Sequence, residues 1–269
     1  MGHETKIDWA DSTWNPVTGC LHGCEYCYAR RIAERFGRAT IAVCGEDGYA
    51  EYGGMTCADE TCHELEYPYE DYGKGHTAPY PFEFDPTFHR YKLGEPLRWK
   101  KPRTIFVCSM ADLFGDWVPG EWIEQVFEAC EAAPQHRYLF LTKNPKRYVE
   151  LYGNGILRVR DSFWYGSTIT HANEPFFFSR MPDDNPHTFC SIEPILEPVG
   201  TMQEMPDWVI AGAETGNRKG KVTPQKEWID EIAAECKRRR KPLFMKDSLR
   251  SLMGDDFKQE FPWKVRDHE

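Results

Sequence analysis

Three cysteines lie close together near the start of the chain and are the residues best suited to carry chemistry. Cys20, Cys24 and Cys27 follow the spacing Cys-x3-Cys-x2-Cys, and the residues after them, YARRIAERF, predict a helix. A 4Fe–4S cluster is normally held by four thiolates, one to each iron. Three thiolates leave one iron with an open position for a substrate or cofactor. The spacing therefore predicts a 4Fe–4S cluster bound by Cys20, Cys24 and Cys27.

A structural zinc site is the alternative interpretation of this loop. Zinc in such sites takes four protein ligands in a closed tetrahedron. The fourth ligand would be His22, or it would come from Cys44, Cys57, Cys62 or His63 farther along the chain. The spacing of the three later cysteines matches no common type of metal site. We favour reduced thiols in a tyrosine-rich lid there over a second metal site with His63 as its fourth ligand.

Composition and cysteine content indicate the class of protein. The 269 residues are 41% hydrophobic and 28% charged, which is ordinary for a soluble globular chain. No run approaches the roughly 20 apolar residues of a membrane span, and the first residues lack the pattern of a secretory signal. Ten cysteines in such a chain favour metal or redox chemistry over disulfides. We expect a cytoplasmic protein with no membrane partner.

The net charge of −10 is concentrated in one segment. Residues 41–80 carry nine acidic residues and one lysine, so the remainder of the chain is close to neutral. An acidic protein is ordinarily a poor partner for nucleic acid, but here that objection applies mainly to the one segment. A basic surface could come from residues 98–103, Arg30, Arg31 and the run 237–241, and scattered solvated charge is the alternative.

Regularly spaced apolar runs predict the fold. Runs at 104–109, 138–142, 163–168, 188–193, 208–213 and 242–246 have the length of buried parallel strands, and an earlier strand is expected within 7–16. Helical patterns occupy 120–134, 145–152 and 223–241, the last with Thr223 as the expected N-cap and Pro224 in the first turn. We expect an α/β fold, an incomplete (β/α) barrel of about six or seven parallel strands. Residues 1–269 would form one domain, with 37–103 an inserted, irregular segment rich in cysteine, tyrosine and acidic residues.

Polar residues at the ends of the predicted strands form the second set of candidates. The carboxyl ends of barrel strands meet at one mouth, where such folds keep their chemistry. Any one of these residues could be a cap or a surface residue, but six successive strands share the feature. We expect the later members, Glu193, Glu214 and Lys246, to hold substrate or move a proton. The earlier members, expected to bind the cofactor, are Ser109, Asp112, Lys143, Ser167, Thr168 and Ser191.

The cysteine spacing, with Tyr26 just before the third cysteine, resembles the motif of the radical S-adenosylmethionine (SAM) superfamily. The resemblance implies that the open iron chelates the amino and carboxylate groups of SAM. An electron from an external donor then cleaves the sulfonium C–S bond, and the resulting 5′-deoxyadenosyl radical abstracts hydrogen from an unreactive carbon. It also implies that Tyr26 lies against the adenine.

Further stretches resemble one group within that superfamily: phage and bacterial proteins of formerly unknown function that share the three-cysteine motif. The stretches are DSTWNPVTGC, EPLRWKKPRTIFVCSMADLF, LTKNPKR, SIEPILEPV, WVIAGAETG and KRRRKPLFMKDS. The chain departs from this group in the insertion at about 40–80, in Gly212-Ala213 where a glycine pair is usual, and in the MKDS ending. Because these departures lie where substrate would bind, the substrate of relatives transfers poorly.

The group resemblance implies an isomerase of glycyl-thymidine in phage DNA hypermodification. The substrate would be a modified thymidine nucleotide or DNA, and the enzyme would work in the cytoplasm of the host. A radical SAM lyase that repairs thymine lesions is an alternative, as is a radical SAM enzyme acting on a peptide or small metabolite. A non-enzymatic zinc-binding protein is the remote alternative.

Overall fold

In the computed structural model of the protein, the described residues are 5–37, 62–71, 76–172, 174, 187–200, 202 and 204–264. The strands are, in chain order, β1 (Ser12–Trp14), β2 (Val17–Thr18), β3 (His63–Leu65), β4 (Glu70–Asp71), β5 (His76–Thr77), β6 (Thr87–His89), β7 (Thr104–Val107), β8 (Arg137–Thr142), β9 (Phe163–Ile169), β10 (His187–Ile192), β11 (Trp208–Ala211) and β12 (Leu243–Met245). The α-helices are α1 (Tyr28–Phe36), α2 (Glu95–Arg98), α3 (Gly120–Ala132), α4 (Lys146–Gly153), α5 (Lys226–Arg238) and α6 (Arg250–Met253).

Seven strands form the main sheet, in the order β1-β7-β8-β9-β10-β11-β12. Every neighbouring pair in this sheet is parallel. The sheet is curled into a half-barrel, which confirms the predicted incomplete (β/α) barrel. The carboxyl ends of all seven strands therefore lie along one edge, as the candidate site requires.

The two faces of the curled sheet carry different apolar cores because side chains alternate along each strand. On the convex side, Tyr138, Phe140 and Phe163 pack with residues of α3 and α4, while Val209 and Cys190 pack with α5. The concave side holds a separate cluster dominated by aromatic rings. Its buried members are Trp9, Phe106, Leu139, Trp164, Phe189, Trp208, Ile210 and Phe244, with Phe261 and Trp263 packed against them.

The start of α5 differs from the prediction. The helix begins at Lys226 rather than beside Thr223, and its N-cap is Gln225, which makes no capping bond with its side chain. Gln225 keeps an extended conformation, with ψ of 149°, and the preceding Pro224 is buried. Because Gln225 keeps this extended conformation, the helix starts only after it, at Lys226.

The inserted segment is more regular than expected where it is described. Strands β3 and β6 join β2 in a small three-stranded sheet, with β6 in the centre, and β4 pairs with β5 in a hairpin. These strands are only two or three residues long, so they leave no periodic pattern in the sequence. Within the described ranges, none of the helices is long and apolar enough to span a membrane.

Candidate cofactor site at the carboxyl end of the half-barrel

A cavity of about 240 Å³ lies at the carboxyl ends of the main strands. Cys20, Cys24 and Cys27 line it, and so do all of the predicted strand-end residues except Ser167. Its floor is formed in part by apolar residues at the top of the concave cluster, including Trp9 and Phe106. The half-barrel therefore brings the cysteine loop and the strand ends together around one space.

Backbone bonds hold the first part of the cysteine loop against the protein. The amide of Gly19 donates to the carbonyl of Met110 at 2.9 Å, and the amide of Cys20 donates to that of Phe84 at 3.1 Å. Gly19 has a φ of +85°, and a Cβ at this position would lie 2.1 Å from the carbonyl oxygen of Asp85. Only glycine fits this approach, so the residue before Cys20 fixes where the loop begins.

The last cysteine of the loop caps the first helix. Cys27 is the N-cap of α1, and its Sγ accepts a hydrogen bond from the amide of Arg30 at 3.4 Å. The Arg30 guanidinium reaches back to donate to the carbonyl of Cys20 at 3.0 Å. These two bonds join Cys27 to the first turn of α1 and the first turn of α1 to Cys20.

The donor set suits an iron–sulfur cluster, although no three histidine, cysteine or acidic side chains of the described residues are already gathered closely enough to hold a metal ion. The three thiols are free, half-buried and open to the same cavity. Burial raises the pKa of Cys20 to about 12, and the neighbouring Cys27 and Cys24 add to this increase. A bound cluster would have to draw the thiols together and stabilise their thiolate forms.

Asp112, predicted to bind the cofactor, lines the cavity and is held by the protein through both of its carboxylate oxygens. Its buried carboxylate accepts four hydrogen bonds from the protein: from Thr142 Oγ1 at 2.8 Å, the Phe114 amide at 3.0 Å, the Lys143 amide at 2.9 Å and His22 Nε2 at 2.7 Å. Both oxygens are therefore engaged, and Asp112 joins the end of β8 to the cysteine loop rather than offering a free carboxylate to a cofactor.

Asn15 is a site residue that the sequence interpretation missed. Its Oδ1 accepts bonds from Ser109 Oγ at 3.1 Å and from the Met110 amide at 3.0 Å, and so fixes the turn after β7. The carbonyl of Ser109 in turn accepts from the hydroxyl of Tyr28 at 2.7 Å. Asn15 follows directly after β1, so the strand-end criterion applied to the other strands would also have found it.

Lys143 contacts Tyr26, the aromatic residue of the cysteine motif. Its Nζ donates to the hydroxyl of Tyr26 at 3.0 Å and lies 5.2 Å from the centre of the Tyr26 ring. This contact joins the loop to the end of β8 and leaves both residues on the cavity wall. A cation and an aromatic face are thus available side by side to a ligand that carries a carboxylate and a flat ring.

Glu193 and Lys246 form an ion pair across the far wall of the cavity. Lys246 Nζ donates to Glu193 Oε1 at 2.6 Å, and both side chains keep some contact with solvent. Gly212, which directly follows β11 between them, makes this approach possible, because a Cβ there would lie 2.9 Å from Lys246 Cδ. The pair offers a cavity-facing acid and base that can exchange a proton or bind opposite charges of a substrate.

Glu214 is held in its charged form by a second pair. Arg218 binds both of its oxygens, at 2.7 and 2.8 Å, and the Glu214 side chain is only 2% exposed. These bonds from Arg218 lower the pKa of Glu214 below its usual value despite burial. Arg218 also lies 3.6 Å from Glu25 of the cysteine loop, so this charge network links the loop after β11 to the cysteines.

Ser167, which the sequence predicts to bind the cofactor, does not line the cavity. The neighbouring Thr168 does line it. Successive side chains of a strand point to opposite faces, so two adjacent residues of β9 cannot both face the same space. The Ser167 hydroxyl is buried and lacks a hydrogen-bond partner among the described residues.

The later cysteines were expected to lie in a lid or a second metal site. Cys44 and Cys57 lie outside the described residues, so neither interpretation is decided by their positions. Cys62 is buried, and its thiol donates to the carbonyl of Trp117 at 3.6 Å. The ring of His63 stacks on Phe82, with 3.7 Å between the ring centres.

An α/β half-barrel with a three-cysteine loop over the carboxyl ends of its strands is the class of protein that this fold and site define. Residues 4–251 match the model of a family described as protein of unknown function (DUF5131), and the chain belongs to that family. No curated protein and no solved structure matches the chain.

Proposed function

We propose that this protein is a radical SAM enzyme in which Cys20, Cys24 and Cys27 hold a 4Fe–4S cluster. The observation that carries the proposal is the convergence of these three free thiols with six strand ends on a single cavity. Three thiols that line one cavity suit a cluster with one iron left for a cofactor. When bound, the cluster and SAM would supply one-electron reductive chemistry, with the electron coming from an external donor.

The residues around the cysteines are suited to holding SAM. Lys143 offers a cation for its carboxylate, and the Tyr26 ring beside it offers a face for the adenine. Thr168 and Ser191 line the same cavity and carry hydroxyls that can bond the ribose. Ser109 lies on the same wall, with its hydroxyl held by Asn15. This arrangement would orient the cofactor and keep water from the reacting atoms.

The far wall is suited to a substrate that carries both an amine and a carboxylate. Glu193 can accept hydrogen bonds from a substrate ammonium, and Lys246 can pair with a carboxylate once their mutual bond opens. A glycine linked to thymidine through its nitrogen keeps an amine and a carboxylate, which supports glycyl-thymidine as the substrate and an isomerase as the activity. If that thymidine lies in duplex DNA, its base must leave the stack to enter a cavity of about 240 Å³.

The test uses protein reconstituted with iron and sulfide without oxygen. We expect about four irons per chain, a brown colour that bleaches in air, and release of 5′-deoxyadenosine from SAM when dithionite is added. Cys24→Ala should abolish that release, while Cys236→Ala, which removes a buried thiol on the convex side, should retain it. Protein that binds no iron, or that holds its iron and does not cleave SAM, would contradict the proposal.

The substrate needs a separate measurement. Nucleosides from DNA of cells that make the protein should differ in mass or retention from those of cells that make Cys24→Ala. Unchanged nucleosides, together with intact SAM cleavage, would favour a thymine-lesion lyase, or a peptide or metabolite as the substrate. Tight binding of one zinc with no iron would support the non-enzymatic zinc-binding alternative.

A further inference from the structure

His22 stands inside the cysteine loop and is itself a good ligand for iron. It lies two residues from both Cys20 and Cys24, and it lines the same cavity as all three cysteines. Imidazole nitrogen binds iron in many proteins, and histidine replaces cysteine as a cluster ligand in some of them. A fourth protein ligand would close the coordination position that SAM requires.

In the structure the His22 imidazole is hydrogen-bonded to Asp112. His22 Nε2 donates to Asp112 Oδ2 at 2.7 Å, and the Asp112 side chain is only 7% exposed. The remaining bonds to Asp112 come from Thr142, Phe114 and Lys143, so the carboxylate cannot turn away without losing them. Asp112 is therefore a fixed acceptor for the imidazole.

Trp117 contacts the same imidazole through its ring. The two rings meet edge to face, with their centres 4.8 Å apart and their planes at 78°. Gly115 makes room for this tryptophan, because a Cβ at Gly115 would lie 2.4 Å from the indole. One short segment after β7 thus supplies both the hydrogen-bond acceptor and the ring that fix His22.

We infer that Asp112 is a positioning residue that holds His22 away from the cluster and so keeps the fourth coordination position open for SAM. This inference rests on the proposed function. Asp112 acts through His22 rather than by touching the cofactor. Released from Asp112, the imidazole would compete with SAM for the open iron, and the competition would disappear if His22 were also removed.

The experiment compares wild-type protein with Asp112→Ala, His22→Ala and the double variant, all reconstituted without oxygen. For each protein we would measure iron per chain, the electron paramagnetic resonance (EPR) spectrum of the reduced cluster with and without SAM, and nitrogen coupling to the cluster with 15N-histidine. Asp112→Ala should retain its iron, gain a histidine nitrogen coupling and bind SAM at least about tenfold more weakly. His22→Ala and the double variant should respond to SAM as the wild type does.

Two results would overturn the inference. One is an Asp112→Ala protein whose SAM response equals that of the wild type. The other is a double variant as defective as Asp112→Ala, because Asp112 would then act by holding the loop and not by restraining His22. Asp161→Ala, which removes an exposed carboxylate just before β9, is the matched control. A wild-type protein that forms no cluster would instead count against the proposed function.

Discussion

The two ends of the concave face of the half-barrel are built from the same strands, yet one end is apolar and packed and the other is polar and open. Toward the amino ends, aromatic rings fill the curve of the sheet, and Trp208 and Phe189 are completely buried there. Toward the carboxyl ends, the same face carries hydroxyls, carboxylates and lysines around a cavity. A barrel interior is a packed core, and this one is packed only along the lower part of its height.

The change from core to cavity takes two residues along a strand. On β9 the inward positions pass from Trp164 through Gly166 to Thr168, and after Phe244 of β12 the next inward position is Lys246. Because inward side chains recur with a period of two, a single step of this kind moves from the aromatic layer to the polar rim. We call the buried aromatic residues of the concave face, such as Trp164, Phe189 and Trp208, the aromatic layer, and the polar residues that line the cavity the rim. The comparison predicts that substitutions in the aromatic layer change stability and that substitutions in the rim change ligand binding.

The largest expected effect is at the cysteine loop. Cys24→Ala should reduce the iron content after reconstitution from about four per chain to nearly none, because two thiolates cannot hold the cluster. Its unfolding midpoint in denaturant should stay close to that of wild-type protein without iron, because Cys24 is outside the buried core. If Cys24→Ala kept about four irons per chain, Cys24 would not be a ligand of the cluster.

In the aromatic layer, Trp208→Ala should lower the free energy of unfolding by about 3–5 kcal/mol, since it leaves a large cavity in the core. It also removes the indole bond to the carbonyl of Glu260, which measures 2.9 Å. Tyr67→Ala, at a side chain that is 76% exposed, is the control and should change stability by less than about 0.5 kcal/mol. If urea unfolding gave the same loss of unfolding free energy for Trp208→Ala and Tyr67→Ala, the aromatic layer would not be the core that we describe.

Overpacking the same layer should cost less. A Cβ at Gly166 would lie 2.3 Å from the Phe189 ring, so Gly166→Ala should destabilise the protein by about 1–3 kcal/mol. Gly153→Ala is matched, because nothing lies within 4 Å of its added Cβ. That control should be neutral or slightly stabilising in the same urea titration. A neutral Gly166→Ala would mean that the layer yields more easily than its packing indicates.

The pair Glu214–Arg218 links the loop after β11 to the cysteine loop, and its contribution to stability should depend on pH. Because Arg218 lowers the pKa of Glu214 in the folded protein, the pair contributes stability at neutral pH. That contribution should be lost as the pH falls through the lowered pKa. Arg218→Met leaves the buried carboxylate unpaired and should be less stable than wild type at pH 7, with the difference shrinking in acid. A difference independent of pH would contradict this role for the ion pair.

The smallest effect on stability is expected in the rim. Lys246→Met breaks a partly exposed ion pair with Glu193, so unfolding should change by less than about 1 kcal/mol. Product formation should fall sharply while 5′-deoxyadenosine release continues, because in the proposed function the lysine binds the substrate and not the cofactor. Lys258→Met, at an exposed lysine outside the cavity, is the control. Loss of SAM cleavage in Lys246→Met would indicate that Lys246 binds the cofactor and not the substrate.

Much of the architecture could be predicted because it follows from local patterns. The seven strands and the four longer helices leave apolar runs or periodic stripes, and each was expected within a few residues of its observed position. The short strands β2, β3 and β6 could not be found in this way, because they depend on pairing between distant segments. The start of α5 was misplaced because Gln225, rather than Thr223, is the extended residue that caps the helix.

The candidate site was predictable as a set of residues and less so as a set of roles. Strand-end position was enough to bring Glu193, Glu214 and Lys246 to the cavity, but it placed Ser167 there against the alternation of β9. The role of Asp112 depends on donors from three segments, at His22, at Phe114 and at Thr142 with Lys143, which no sequence window contains together.

The most direct test of the central claim is the EPR spectrum of the dithionite-reduced, reconstituted protein recorded with and without SAM. We predict the spectrum of a reduced 4Fe–4S cluster that changes on addition of SAM, because one iron carries no protein ligand. A cluster spectrum that SAM leaves unaltered, or the absence of any cluster signal in protein prepared without oxygen, would contradict the account.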